Sequence, residues 1–160
     1  GNTTAFLEME DGINERGLAV GMTSVFSKHI QPGMNSGMLL RFFLKKCSTV
    51  DEVIKWLYKI PIASAQTFTV ADLTGDISVI ECCADGIHIR KPEEERPYVC
   101  TVNRFHSPEL EKWNTGEVDD WLSSQRYETM EKTLSREAPQ MDVSIAKKLF
   151  VREKRFYLSV

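Results

Sequence analysis

The extended run YVCTVN ends on Asn103, which would share a strand face with Val99 and Thr101. A neutral amide there can aim an N–H at an oxygen that gains charge during acyl transfer, or it can end the strand by capping the following turn. Arg126, in WLSSQRYETM, borders the apolar stripe of a helix, where a guanidinium pairs with a carboxylate or orients a backbone carbonyl. After the polar turn DGINERG, the run toward Val25 exposes a single threonine, Thr23, so the turn shapes a site as well as joining two strands. Of the histidines His29, His88 and His106, one sits in the alternating IHIR run and the others in loops, and no GxSxG elbow is present for a histidine-based triad. Glu81 and Asp72 read more simply as solvated or salt-bridged carboxylates than as an acid/base pair.

Composition narrows the partners. The chain has 160 residues, 42% hydrophobic and 27% charged, the balance of one globular domain or a large piece of one. A net charge of −3, mixed in sign along the sequence, offers no basic stripe for nucleic acid and no polybasic segment for lipid. No apolar run approaches the roughly 20 residues of a membrane helix, and no signal peptide opens the chain, which points to a cytoplasmic protein. The four cysteines Cys47, Cys82, Cys83 and Cys100 form no CxxC pair and read as buried free thiols rather than zinc ligands or disulfides. GxGxxG and GxxxxGK[ST] are both absent, so neither a cofactor nor a metal is expected.

These residues need elements to position them. Ala5–Glu10 and Leu18–Phe26 favour extended structure around DGINERG, which predicts a hairpin. Apolar positions 38–40 and 42–44 suit a buried helix ending near Cys47. Ser48 or Thr49 can cap a second helix with the stripe Val50, Val53, Ile54, Leu57 and Ile60, ended by Pro61. TFTVADL, DISVIECC, GIHIR and YVCTVN then predict an antiparallel meander. A helix from Asp119 and Asp120 through Tyr127, Met130 and Leu134, and a shorter one from Val143 to Phe150, complete an α+β domain of layered sheet and helices. The tail VREKRFYLSV reads as extended and amphipathic.

DGINERGLAVGMTSV, the long run GMLLRFFLKKC through DISVIE, VCTVNRFHSPEL and DDWLSSQRYETM, in that order, resemble the choloylglycine hydrolase, penicillin V acylase and acyl-coenzyme A:isopenicillin-N acyltransferase group of N-terminal-nucleophile hydrolases. The resemblance runs to about Met130. It implies an αββα sandwich and cleavage or transfer of the acyl group of small N-acyl amides. It also implies a cysteine nucleophile made N-terminal by processing, whose own α-amine, with a pKa near about 8, serves as base. By motif, Asn103 falls on the oxyanion-hole asparagine, Thr23 on a second oxyanion contributor that is often asparagine or tyrosine, and Arg126 on the arginine that supports the nucleophile.

The sequence departs from that pattern in three places. No cysteine stands near the start of the chain, the accompanying upstream arginine and aspartate are missing, and the closing glycine- and aromatic-rich strands are not seen after Phe150. Residues 1–160 are therefore expected to form a single unit that is a fragment of a larger domain, with the nucleophile on a missing N-terminal segment. The alternative expectation is a catalytically inactive remnant that binds or self-associates through exposed sheet edges.

Overall fold

Side chains that alternate between two faces give Ala19–Ser24, Gln66–Ala71, Ile77–Cys83 and Gly86–Arg90 the character of strands. The computed structural model describes residues 8–27, 29–115 and 121–147. In it these segments are β2, β3, β4 and β5, preceded by a short β1 (Asp11–Ile13). They form an antiparallel sheet in the order β1-β2-β3-β4-β5. Phe68 pairs with Met22 and Ile80, and Gln66 with Cys82, so these side chains share one face. Thr67 pairs with Thr23 and Glu81, and Glu81 with His88, which lays a row of four polar side chains across the opposite face.

The apolar face is covered by α1 (Ser36–Lys46) and α2 (Val50–Leu57). Asn35 caps α1 by accepting the Met38 N–H at 2.9 Å, and Thr49 caps α2 by accepting that of Glu52 at 3.3 Å. Asp51 and Glu52 stand at the positive end of the α2 dipole. From these helices Leu39, Leu40, Phe43, Val50, Val53 and Leu57 meet Val20, Phe68, Val70, Ile80 and Cys82 of the sheet in one buried cluster. This is the expected α+β arrangement, with a helix layer packed on one face of the sheet.

The polar turn ahead of β2 does more than connect. Asn14 donates through Nδ2 to the carbonyls of Leu44 at 2.9 Å and Cys47 at 2.8 Å, at the C-terminal end of α1. Its Oδ1 accepts the N–H groups of Arg16 and Leu18, both at 3.0 Å. Arg16 adds bonds to the carbonyls of Lys45 and Cys47. Carbonyls that a helix end leaves without intrahelical partners are thus met from the hairpin. Gly17, at φ +81°, closes the turn in a conformation that side chains disfavour. Asn14→Ala is expected to lower stability by about 1–3 kcal/mol, measured by urea unfolding. Asn14→Asp should not rescue it, because a carboxylate would face the two helix carbonyls.

The hairpin forms, with its first strand displaced. Pairing begins at Ile13 and Ala19 because the Asn14 side chain builds the turn over residues 14–17. β1 therefore occupies the DGI expected to be turn, while residues 8–10 lie outside any strand and 5–7 outside the described residues. YVCTVN is a second correction. It is extended, but among the described residues it joins no ladder and makes a single bridge, between Val102 and Arg104. It crosses the polar face of the sheet instead of lying beside β5, and side chains rather than backbone hold it there.

Beyond it, α3 spans Ser123–Glu137 and includes Tyr127, Met130 and Leu134 as expected. Its expected start at Asp119 and Asp120 lies outside the described residues. Residues 143–147 are helical, opened by Asp142, whose Oδ1 accepts the Ile145 N–H at 2.7 Å. Phe150 and the tail VREKRFYLSV lie outside the described residues. Among the described residues no helix is long and apolar enough to cross a membrane.

Candidate active site

The polar row is the bed on which residues 101–109 lie. Thr101 Oγ1 donates to Thr67 Oγ1 at 3.1 Å, the Thr67 and Thr23 hydroxyls are 2.6 Å apart, and Thr23 Oγ1 donates to the Val102 carbonyl at 3.1 Å. Further along the row, Glu81 accepts the backbone N–H groups of His106 at 3.0 Å and Ser107 at 2.9 Å. His88 then meets Glu109 at 3.1 Å. One segment is pinned strand by strand through the sheet's side chains, without joining its ladders among the described residues.

Asn103 sits where this segment passes the end of β2. Its Nδ2 donates to the Ser24 carbonyl at 3.0 Å, and its Oδ1 accepts from Arg126 Nη2 at 2.9 Å. Those two partners fix which way the amide faces, since a guanidinium only donates and a carbonyl only accepts. An amide nitrogen carries two hydrogens and Ser24 takes one, so the other can serve an incoming oxygen. The cation on Oδ1 also polarises the amide and strengthens its N–H as a donor.

Arg126 reaches further than its partner. Its Nε donates to the Trp121 carbonyl at 2.8 Å and its Nη2 to Ser123 Oγ at 3.0 Å. Orienting a backbone carbonyl was one of the two roles open to a half-buried arginine here. Trp121 and Leu122 both adopt left-handed backbone, at φ 53° and 58°. For residues with side chains that conformation costs on the order of 1–2 kcal/mol each, and the Arg126 bond offsets part of it.

Thr23, Asn103 and Arg126 are therefore brought together. Thr23 bonds the carbonyl just before Asn103, and Asn103 bonds the carbonyl just after Thr23. The single hydroxyl hydrogen of Thr23 has the Val102 carbonyl as its acceptor, with Thr67 Oγ1 as the alternative.

Residues that sequence reasoning set aside complete the surroundings. Glu81 is fully buried and its Oε1 lies 3.2 Å from Arg90 Nη2. Arg90 also donates to the Cys100 carbonyl at 3.0 Å and to the Tyr127 hydroxyl at 3.2 Å. Tyr127 stacks on His106 at 3.6 Å, and burial holds that imidazole below its ordinary pKa. Arg96, Tyr98 and Cys100 gather on Glu131 of α3. Burial alone would raise the Glu131 carboxyl, but the Cys100 thiol and the Arg96 guanidinium outweigh it and hold it low. Asp72 stands elsewhere: it accepts from Thr74 and from the Val50 N–H at the start of α2, and the Thr74 hydroxyl lowers its pKa. It does not meet Glu81 as an acid/base partner.

All four cysteines are free and buried. Burial pushes the Cys47 thiol up to about 11 and those of Cys82 and Cys100 up to about 12, and raises Cys83 as well. At neutral pH none is a thiolate nucleophile. Among the described residues no group of three or more His, Cys, Asp or Glu side chains is placed to hold a metal ion.

Residues 1–159 match the family described as acyl-coenzyme A:6-aminopenicillanic acid acyl-transferase. The chain belongs to this family. Membership of this acyl-transferase family bears out the grouping drawn from the ordered motifs. Among curated proteins none matches the chain. Among solved structures it is similar to penicillin V acylase from Agrobacterium tumefaciens, with 26% identity over 53% of this chain and 30% of that one, at a TM-score of 0.45. It is also similar to a variant of the conjugated bile acid hydrolase from Clostridium perfringens, with 22% identity over 59% of this chain and 35% of that one, at a TM-score of 0.41. The chain thus spans about a third of the length of either protein.

Proposed function

We propose that residues 1–160 form part of a larger domain in an enzyme that transfers or hydrolyses the acyl group of small N-acyl amides. The observation that carries this reading is the Asn103 amide, held between the Ser24 carbonyl and Arg126 with one N–H left to donate. The nucleophile is an N-terminal cysteine on a segment of the complete protein outside these residues, since the thiols of Cys47, Cys82, Cys83 and Cys100 are buried and protonated. Its α-amine takes the thiol proton and the thiolate adds to the amide carbon. The oxygen that becomes negative accepts the free Asn103 N–H, and the amine departs with the proton to leave a thioester. Water or a second amine then releases the acyl group. Arg126 polarises and aims Asn103. Thr23 either donates to the same oxygen or holds the Val102–Asn103 backbone in place through its present bond. Four buried free thiols fit the reducing environment of the cytoplasm.

A second reading has its own observation. The polar face of the sheet is open over Ala19, Gly21, Thr69 and Ala71, and Ile13 beside them is 70% exposed, a surface suited to self-association of an inactive remnant. The deciding experiment is intact mass spectrometry of the complete protein as isolated, mixed with penicillin V as probe. A covalent acyl adduct on an N-terminal cysteine supports acyl transfer. A folded protein with neither adduct nor turnover, and sedimenting as a dimer, supports the remnant.

A further inference from the structure

The Asn103–Arg126 pair is only as well aimed as the two elements that carry it. One is a segment without ladder partners among the described residues, and the other is a helix entered through left-handed residues. One buried group reaches both. Glu81, 0% exposed on β4, accepts the N–H groups of His106 and Ser107, three and four residues beyond Asn103. Its partner Arg90, on the same face of β5, donates to the carbonyl of Cys100, three residues before Asn103. The other arm of Arg90 takes the hydroxyl of Tyr127, the residue next to Arg126 on α3. The segment is therefore held on both sides of Asn103, and the helix beside Arg126, by one ion pair between β4 and β5.

Burial makes this arrangement stiff. A carboxylate removed from water is tolerated only where its oxygens are met by donors, and those donors here belong to the parts that must not move. We propose that Glu81, acting with Arg90, is the positioning residue that sets the Asn103–Arg126 pair. The inference rests on the acyl-transfer reading above for its catalytic readout.

The test uses the complete enzyme with penicillin V as probe. Glu81→Gln keeps the size of the side chain but removes the charge that holds Arg90 and one of the acceptors for the backbone. A fall in kcat of about 10- to 100-fold is expected, with a much smaller change in KM, because displaced catalytic groups lose rate before binding. In an Asn103→Ala background the same substitution should change kcat by less than about threefold, since its effect passes through Asn103. Equal losses in both backgrounds, or no loss at all, overturn the proposal. Tyr127→Phe removes a single hydroxyl and serves if Glu81→Gln does not fold; its loss in kcat must likewise vanish without Asn103. If the unsubstituted enzyme turns nothing over, the acyl-transfer reading fails. The positioning role is then judged by nuclear magnetic resonance of the Asn103 side-chain amide, which shifts in the Glu81→Gln or Tyr127→Phe protein if Glu81 and Arg90 set it. It stays in place if they do not.

Discussion

Asn103→Ala in the complete enzyme should lower kcat by about 10²- to 10³-fold and leave KM within a few fold, the loss found when one oxyanion donor is removed. On the acyl-transfer reading the donor is expensive to lose because it is already aimed. Ser24 and Arg126 hold the amide before substrate arrives, so no reorganisation is needed as charge develops. Asn103→Asp should be no better than alanine. A carboxylate would still pair with Arg126, but it would present a negative oxygen to a negative oxygen. Steady-state kinetics on the three proteins checks this, and an unchanged kcat in Asn103→Ala would remove the residue from the mechanism. The alanine variant should also keep its fold, because Asn103 is only half-buried and its segment remains tied through Thr23, Thr101 and Glu81.

Phe43→Ala should instead act on stability, costing about 3–5 kcal/mol in urea or thermal unfolding. Phe43 is 0% exposed on α1 and meets Phe68 of β3 edge-on, with ring centroids 5.5 Å apart at 82°. The substitution removes a ring from the middle of the cluster that joins α1 and α2 to the sheet, and the neighbours refill only part of the space. A domain of this kind is stable by about 5–15 kcal/mol in all, so the variant should sit close to unfolding at 37 °C. Phe42→Ala is the control. Phe42 is half-buried against Trp56 and should cost clearly less. Equal losses at the two positions would mean that the cluster is not the core described here.

The helices were legible because their signals are local. The stripe Val50, Val53, Ile54 and Leu57 and the cap, expected at Ser48 or Thr49 and found at Thr49, are read within one turn or two of the chain, although the helix ends at Leu57, short of the expected Ile60 and Pro61. The meander from Gln66 to Arg90 was legible for the same reason, through short alternating runs and tight turns. YVCTVN has the same local character, yet it lies across the strands, because what holds it is side chains from separate strands, Thr23 on Val102, Thr67 on Thr101 and Arg90 on Cys100. Asn14 misled in a similar way, since its helix-capping partners stand 30 and 33 residues away. Glu81 carried a sign that could have been used: a carboxylate within the apolar run ISVIECC has to be paired inside, and its partners lie near the next chemically interesting residue. Asn103, Thr23 and Arg126 were singled out, but only the fold shows that the first two exchange bonds across each other's backbone.

The two faces of the sheet carry different duties. Even-numbered residues of β3, such as Phe68 and Val70, enter the apolar cluster under α1 and α2, while Thr67 faces the segment that bears Asn103. Alternation along a strand thus separates heritable change in robustness from heritable change in chemistry. Substitutions under the helices can accumulate and be compensated there without disturbing the Asn103 amide, and a lineage could remodel the polar side while keeping the same buried framework.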